Sequence, residues 1–142
     1  MVYWDASALV SLCIEEESTK PLHALLAGGI VTWAVSRVEI ASAIERRSRE
    51  KDLSPEARRE ALVALGQLAE AWTEIQAVVP VCERAVRLLA THQLRAADSM
   101  QLAAALVAVA DRSRGHDFVC ADRRLRDAAA REGFRVLPEL VS

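Results

Sequence analysis

Asp5, Glu39, Asp98 and Asp122 lie far apart in the chain, and each falls where an apolar run gives way to a helical pattern. Carboxylates gathered from such junctions repel one another, so a cluster of them stays ionised only when a divalent cation or guanidinium groups neutralise it. The chemistry expected of such a cluster is Mg²⁺ or Mn²⁺ binding for work on phosphate esters. Each acid also has a structural explanation. Asp5 and Asp122 fit the N-cap position by type and place. Ser36-Arg37-Val38-Glu39 fits the capping box, in which the glutamate reaches back to the cap's own amide. Asp98 sits in the first turn of its helix, where a carboxylate stabilises the helix dipole by roughly 0.3–1 kcal/mol. The two explanations differ in direction: a cap turns toward its own helix, whereas metal binding turns every carboxylate toward one cavity.

Whether the four meet depends on the elements that carry them. Val2–Trp4 reads as a short strand ending at Asp5, and residues 6–13 as a helix with Leu9, Leu12 and Cys13 on one face. Ser18 or Thr19 caps a second helix with Pro21 in its first turn, which ends at Gly28 and Gly29, and residues 30–33 form a second strand. Ser36 opens a helix to about Glu50. Ser54 and Pro55 open a long one to about Glu74, with Leu62, Leu65, Leu68 and Trp72 at core-facing intervals, so the two form a helical hairpin. A strand over 77–79 follows, then a helix from Pro80 to about His92 and another from Ala96 or Ala97 to about Asp111. Residues 117–121 form a strand, Asp122 caps a helix that Gly133 stops, and Arg135–Leu137 is the last strand. Short apolar strands alternating with longer helices predict an α/β fold, a three-layer α/β/α sandwich around a central, mainly parallel sheet. In such sheets the functional crevice lies beyond the carboxyl ends of the strands, where Asp5 and Asp122 fall.

The 142 residues fit one domain spanning the whole sequence, long enough to bury a substantial core. Apolar residues make up 52% and charged ones 27%, a balance that argues against extended disorder. With a formal charge of −2 and a pI near 5.9, nucleic-acid contact would have to come from a local basic patch, since no global positive field exists to steer it. Arginine supplies 16 of the 18 basic residues; it suits bidentate phosphate recognition, and GC-rich coding produces the same bias. Cys13, Cys82 and Cys120 are odd in number, far apart and in apolar surroundings, which indicates neither a disulfide framework nor a thiolate metal site and predicts a reducing cytoplasm. No secretory leader or bilayer-length apolar run is expected, the longest apolar stretch being 102–110. His23, His92 and His116 show no zinc-ligand spacing and read as surface or helix-end residues. No Gly-rich phosphate loop, nucleophile elbow or Cys/His pair is present. Asp5-Ala6-Ser7 lacks the second aspartate of an aspartyl-phosphate phosphatase, and residues 118–121 lack the lysine of a receiver domain.

Four stretches, in order along nearly the whole chain, carry a family resemblance. They are Asp5-Ala6-Ser7-Ala8-Leu9; Ser36-Arg37-Val38-Glu39 with Ala43 and Arg46; Arg95-Ala96-Ala97-Asp98 through Gln101-Leu102-Ala103; and Phe118-Val119-Cys120-Ala121-Asp122-Arg123-Arg124-Leu125. Together they resemble the motifs of PIN domains, specifically the VapC-type toxin ribonucleases of toxin–antitoxin pairs. The resemblance implies a metal-dependent endoribonuclease that leaves 5′-phosphate and 3′-hydroxyl ends, with Asp5, Glu39, Asp98 and Asp122 as catalytic residues and ligands of Mg²⁺ or Mn²⁺. It also implies a homodimer and a cognate protein antitoxin that blocks the site. Asp122 occupies the position that varies more in the family, and Ser7 would orient Asp5 or a bound water. Cys120 departs from the serine or threonine common two residues before the last acid, and Gln93 from a common glycine. Arg95 is the candidate for guiding the RNA substrate. Arg46, Arg47, Arg49 and Lys51 are either further guides or the solvated cationic end of a helix. Arg123, Arg124 and Arg126 read as surface residues, and Trp33 and Trp72 as core or as part of a partner surface. The competing readings are a non-catalytic PIN-like interaction module and a PIN nuclease acting on another nucleic acid.

Overall fold

Short strands buried on both faces tolerate only continuous apolar runs, and runs of this kind build the middle of the molecule. In the computed structural model, which describes residues 1–15 and 19–139, β1 (Val2–Trp4), β2 (Val31–Trp33), β3 (Thr73–Ile75), β4 (Asp117–Val119) and β5 (Arg135–Leu137) form one sheet. Every pairing is parallel, in the order β3-β2-β1-β4-β5. Successive side chains point to opposite faces, so Tyr3 and Phe118 enter one core while Trp4 and Val119 enter the other. Tyr3 stacks on Phe118 with ring centroids 5.2 Å apart. The helices are α1 (Ala6–Ile14), α2 (Lys20–His23), α3 (Ser36–Arg49), α4 (Pro55–Ala71), α5 (Val78–Thr91), α6 (Ala96–Ala108) and α7 (Arg123–Arg131). The Tyr3 face packs on α5, α6 and α7, and the Trp4 face on α1, α3 and α4. This is the three-layer α/β/α sandwich.

Several elements differ from the sequence reading for reasons the packing supplies. The third strand is Thr73–Ile75, not 77–79, and α4 stops at Ala71. Thr73 N donates to Ile30 O at 2.8 Å and Thr73 aligns with Val31, so pairing to β2 fixes the strand. Val78 and Val79 instead open α5 with their side chains 58% and 65% exposed, and Pro80 falls in the first turn, where its missing N–H leaves no bond unmade. After Lys20–His23 the chain tightens into a 3-10 turn over Ala24–Gly28. Thr19 precedes α2 without capping it and donates instead to Ser11 O, while Ser18 lies outside the described residues. Helix α6 ends at Ala108, because Ala110 and Asp111 take positive φ of 52° and 62°. Trp33 and Trp72 are core residues, at 2% and 8% exposure. His92 ends α5 as expected but is buried, with Nε2 2.7 Å from Glu132 Oε2. Arg126, read as a surface residue, is buried and donates to the carbonyl oxygens of Cys120, Leu137 and Pro138. Cys82 is exposed, whereas Cys13 and Cys120 are buried; all three are free thiols. Among the described residues no helix is long and apolar enough to cross a membrane.

The strand order places the crevice. From β1 the chain moves to β2 and β3 on one side and then returns to β4 and β5 on the other, so the order reverses between β1 and β4. Helices leaving these two strands diverge and open a cleft beyond their carboxyl ends. Asp5 N donates to Val119 O at 3.0 Å across this point.

Candidate active site

A cavity of about 680 Å³ opens at that reversal, and Asp5, Glu39, Asp98 and Asp122 all line it, with Ser7 and Arg95. Asp5 follows β1 and caps α1, Glu39 lies in the first turn of α3, Asp98 in the first turn of α6, and Asp122 caps α7. Four helix N-termini therefore face one space, and their partial positive charge favours anions there.

Asp5 is almost wholly buried, at 3% exposure. Its Oδ1 accepts from Ala8 N at 3.1 Å, and Ser7 Oγ donates at 2.8 Å to both carboxylate oxygens. Ser7 Oγ in turn accepts from Ala121 N at 3.1 Å, tying the first motif to the last. Burial pushes the Asp5 carboxyl up to about 6, against the opposing hydrogen bonds of Ala8 and Ser7. Cys120 lies beneath, with Sγ 3.8 Å from Ser7 Oγ and 3.5 Å from the Asp122 carbonyl oxygen. Burial and the Asp5 charge push its thiol far above the ordinary range, so it stays protonated.

Glu39 does not complete a capping box. Val35 is the α3 cap and makes no side-chain bond, while Ser36 is buried with Oγ 2.7 Å from Thr32 Oγ1. Glu39 is held instead by Gln101, whose Nε2 donates to Glu39 Oε1 at 3.2 Å and to Ser36 Oγ at 3.0 Å. Tyr3 OH donates to Gln101 Oε1 at 2.7 Å. Thr32 donates to Trp4 O at 2.7 Å, so its hydroxyl oxygen accepts from Ser36 and every proton in the chain of bonds has one direction. Burial, and then the charges of Asp5 and Asp98, push Glu39 up to about 7, with the Gln101 bond opposing. Tyr3 is pushed well above its usual range by burial and by Asp5 and Glu39, so it remains a neutral donor.

Asp98 is raised by burial and by the charge of Asp122, with the Arg95 guanidinium opposing. Asp122 Oδ1 accepts from Leu125 N at 3.0 Å. The four acids are thus electrostatically coupled in sequence, Asp5 to Glu39 to Asp98 to Asp122. Among the described residues no three His, Cys, Asp or Glu side chains close around one point. The donor chemistry is all oxygen, with no histidine or cysteine in the cavity wall, and suits a hard cation. A Mg²⁺-type ion usually takes one or two carboxylates and completes its shell with water and substrate phosphate. The residues present fit that habit and do not form a closed protein cage.

Arg46, Arg95, Arg123 and Arg124 ring the carboxylates. Of the basic group ending α3, only Arg46 reaches the cavity wall; Arg47 pairs with Asp52 at 2.9 Å. In the sequence Gln101 reads only as part of the third motif and Tyr3 only as a strand residue, neither with a role at the site. The available signal was an amide inside the apolar run of α6, since a buried amide needs partners.

A cleft of acids on helix starts, at the strand-order reversal of a parallel α/β sheet, defines a class, and comparison with known proteins places the chain within it. The PIN domain profile matches residues 2–131, and the chain belongs to the PIN-domain family. It is 31% identical over 140 residues to Ribonuclease VapC45 of Mycobacterium tuberculosis (strain CDC 1551 / Oshkosh), covering 97% of this chain and 95% of that one. The same figures hold for Ribonuclease VapC49 of Mycobacterium tuberculosis (strain ATCC 25618 / H37Rv). Among solved structures, PAE2754 from Pyrobaculum aerophilum superposes with a TM-score of 0.68 over 96% of this chain and 90% of that one, at 16% identity. That likeness concerns the fold.

Proposed function

We propose that this protein is a divalent-cation-dependent endoribonuclease of the toxin–antitoxin type. The observation that carries the reading is the meeting of Asp5, Glu39, Asp98 and Asp122 in one cavity of a PIN-domain chain whose relatives are named ribonucleases. Asp5 and Asp98, with Glu39 and Asp122 beside them, would hold Mg²⁺ or Mn²⁺, which supplies an activated water and neutralises charge developing at phosphorus. Ser7 fixes the Asp5 carboxylate through both oxygens, and Gln101 fixes Glu39. Arg95 offsets Asp98 and stands where an RNA phosphate enters, alongside Arg46 and Arg123. No side chain serves as a covalent nucleophile in this scheme.

A protein antitoxin blocking the cavity, a cytoplasmic setting and a homodimer complete the proposal. The dimer has support in α5, where Val79, Cys82, Val86 and Leu89 are exposed on one face at spacings that form a stripe. The test is cleavage of total cellular RNA with end mapping, in chelator and after return of Mg²⁺ or Mn²⁺. Wild type should cut only with the cation, and Asp98→Asn should abolish cutting with its melting curve intact. Undiminished cleavage by a folded Asp98→Asn protein refutes the assignment, and indifference of the wild type to both chelator and cation favours the interaction-module reading.

A further inference from the structure

A second cavity of about 260 Å³ adjoins the acidic one, and Arg124 lines both. Its walls continue those of the first. On one side the connection from α5 to α6 runs from Thr91 through Gln93 to Arg95 and on to Asp98. On the other, α7 runs from its cap Asp122 through Arg124 to Arg131. The two walls make a trough that begins at the carboxylates and leaves along α7.

Arg124 and Arg131 are two helical turns apart, so they share a face of α7 at a separation of about 10 Å. Both are exposed, both line the trough, and among the described residues neither takes part in an ion pair. Asp127 also lines it, within helical reach of each arginine yet paired with neither. The far wall adds Thr91, Gln93 and Leu94, with His92 between them held to Glu132. Tyr3, Trp4, Trp33, Trp72, Phe118 and Phe134 are all buried, so no Tyr, Trp or Phe ring is free to stack on a base in the trough. What the trough offers is cationic and hydrogen-bonding, matched to a phosphate–sugar backbone.

We propose that this trough is a subsite for the backbone of single-stranded RNA, in which Arg124 and Arg131 hold phosphates beyond the one that reacts. The inference rests on the ribonuclease reading and adds to it the direction in which the bound strand leaves the carboxylates. Without a stacking surface, affinity in the trough is mainly electrostatic and depends steeply on salt.

The test is anisotropy of fluorescent single-stranded RNAs of about 16 and about 4 nucleotides across a salt series in EDTA, with cleavage in Mn²⁺ measured in parallel. Arg131→Ala should weaken binding of the longer RNA by about 3- to 10-fold and reduce the salt slope by about 0.7. It should leave the shorter RNA unaffected. Asp127→Asn should act in the opposite sense and tighten the longer RNA, a result that damage to α7 would not give. Arg114→Ala, an exposed arginine before the amino end of β4, is the control for net charge and should match wild type. Wild-type binding and cleavage with no change in Arg131→Ala and Asp127→Asn overturns the subsite and leaves the ribonuclease reading standing. Equal losses in Arg131→Ala and Arg114→Ala also overturn it, since only net charge would then matter. A wild type that neither binds nor cuts RNA overturns both.

Discussion

Replacing Glu39 with Gln should stabilise the protein in chelator at alkaline pH, although it removes a charge from the candidate active site. Glu39 rises from its ordinary 4.5 to about 7, because burial and the charges of Asp5 and Asp98 oppose its ionisation. A carboxyl whose folded value lies above its unfolded value contributes stability that is fully present below about pH 4.5 and lost as pH rises through about 7. Each unit of pKa corresponds to ~1.4 kcal/mol, so the span from 4.5 to about 7 is worth roughly 3 kcal/mol. Solvent at the open cavity lowers that to roughly 2 kcal/mol. Glutamine keeps the oxygen that Gln101 Nε2 donates to at 3.2 Å, so no hydrogen bond is given up. Urea denaturation in EDTA should show the two proteins equal at about pH 4 and the variant ahead by roughly 2 kcal/mol at about pH 8.5. At about 4 °C per kcal/mol for a chain of this length, the melting temperature should rise by about 8 °C at the higher pH. Parallel stability curves across that range would refute the claim that partial burial and its neighbours' charges oppose the ionisation of Glu39.

Gln101→Leu should destabilise the fold by about 2–4 kcal/mol in urea, because it strands the buried hydroxyl of Tyr3 and takes away the N–H that Ser36 Oγ accepts; it should also lower cleavage by freeing Glu39, and a loss under about 1 kcal/mol would count against the network. Ser7→Ala should move the acid limb of the pH–cleavage profile upward, since the Ser7 hydrogen bond holds the Asp5 carboxyl down; an unchanged profile refutes that role. Arg126→Ala should destabilise by about 2–4 kcal/mol, because a buried guanidinium bonded to Cys120, Leu137 and Pro138 carbonyls is lost; stability within about 0.5 kcal/mol of wild type would show those bonds to be dispensable.

The parts of the fold legible in the sequence were those whose signals are local. Asp5, the Ser54-Pro55 pair and Asp122 mark helix starts by type, and all three caps form: Ala8, Ala57 and Leu125 donate their amide N–H groups to them. The third strand was not legible, because its cause is distant. Thr73–Ile75 is an edge strand of ordinary composition that exists by pairing with β2. Val78 and Val79 carry the stronger β propensity yet sit on an exposed helix face, where tertiary context overrides it. Ser36 misled similarly: its type suits a cap, but the neighbouring strand offers Thr32 Oγ1 at 2.7 Å, and a buried hydroxyl takes the partner that burial leaves it. The acids were legible as a set because each stands at a strand or helix boundary. Their supporting amide, Gln101, was hidden in an apolar helix, where nothing local announces that Tyr3 and Glu39 will arrive from other elements.

Capping and cavity lining, opposed in the sequence reading, turn out to be the same geometry. A carboxylate has two oxygens, and a cap needs one. Asp5 gives Oδ1 to Ala8 N and Asp122 gives Oδ1 to Leu125 N, and both side chains still line the acidic cavity. Because α1 and α7 leave β1 and β4 at the point where strand order reverses, pinning each carboxylate to its own helix start also keeps both in the wall of one cavity. The capping bonds then serve the site, since they oppose the burial that pushes Asp5 toward protonation. An Asp5→Asn change would keep the side-chain oxygen that caps α1, remove the charge and replace the second oxygen facing Ser7 Oγ with an amide N–H donor. For that reason, lost cleavage with α1 intact assigns Asp5 to chemistry, and retained cleavage reduces it to a cap.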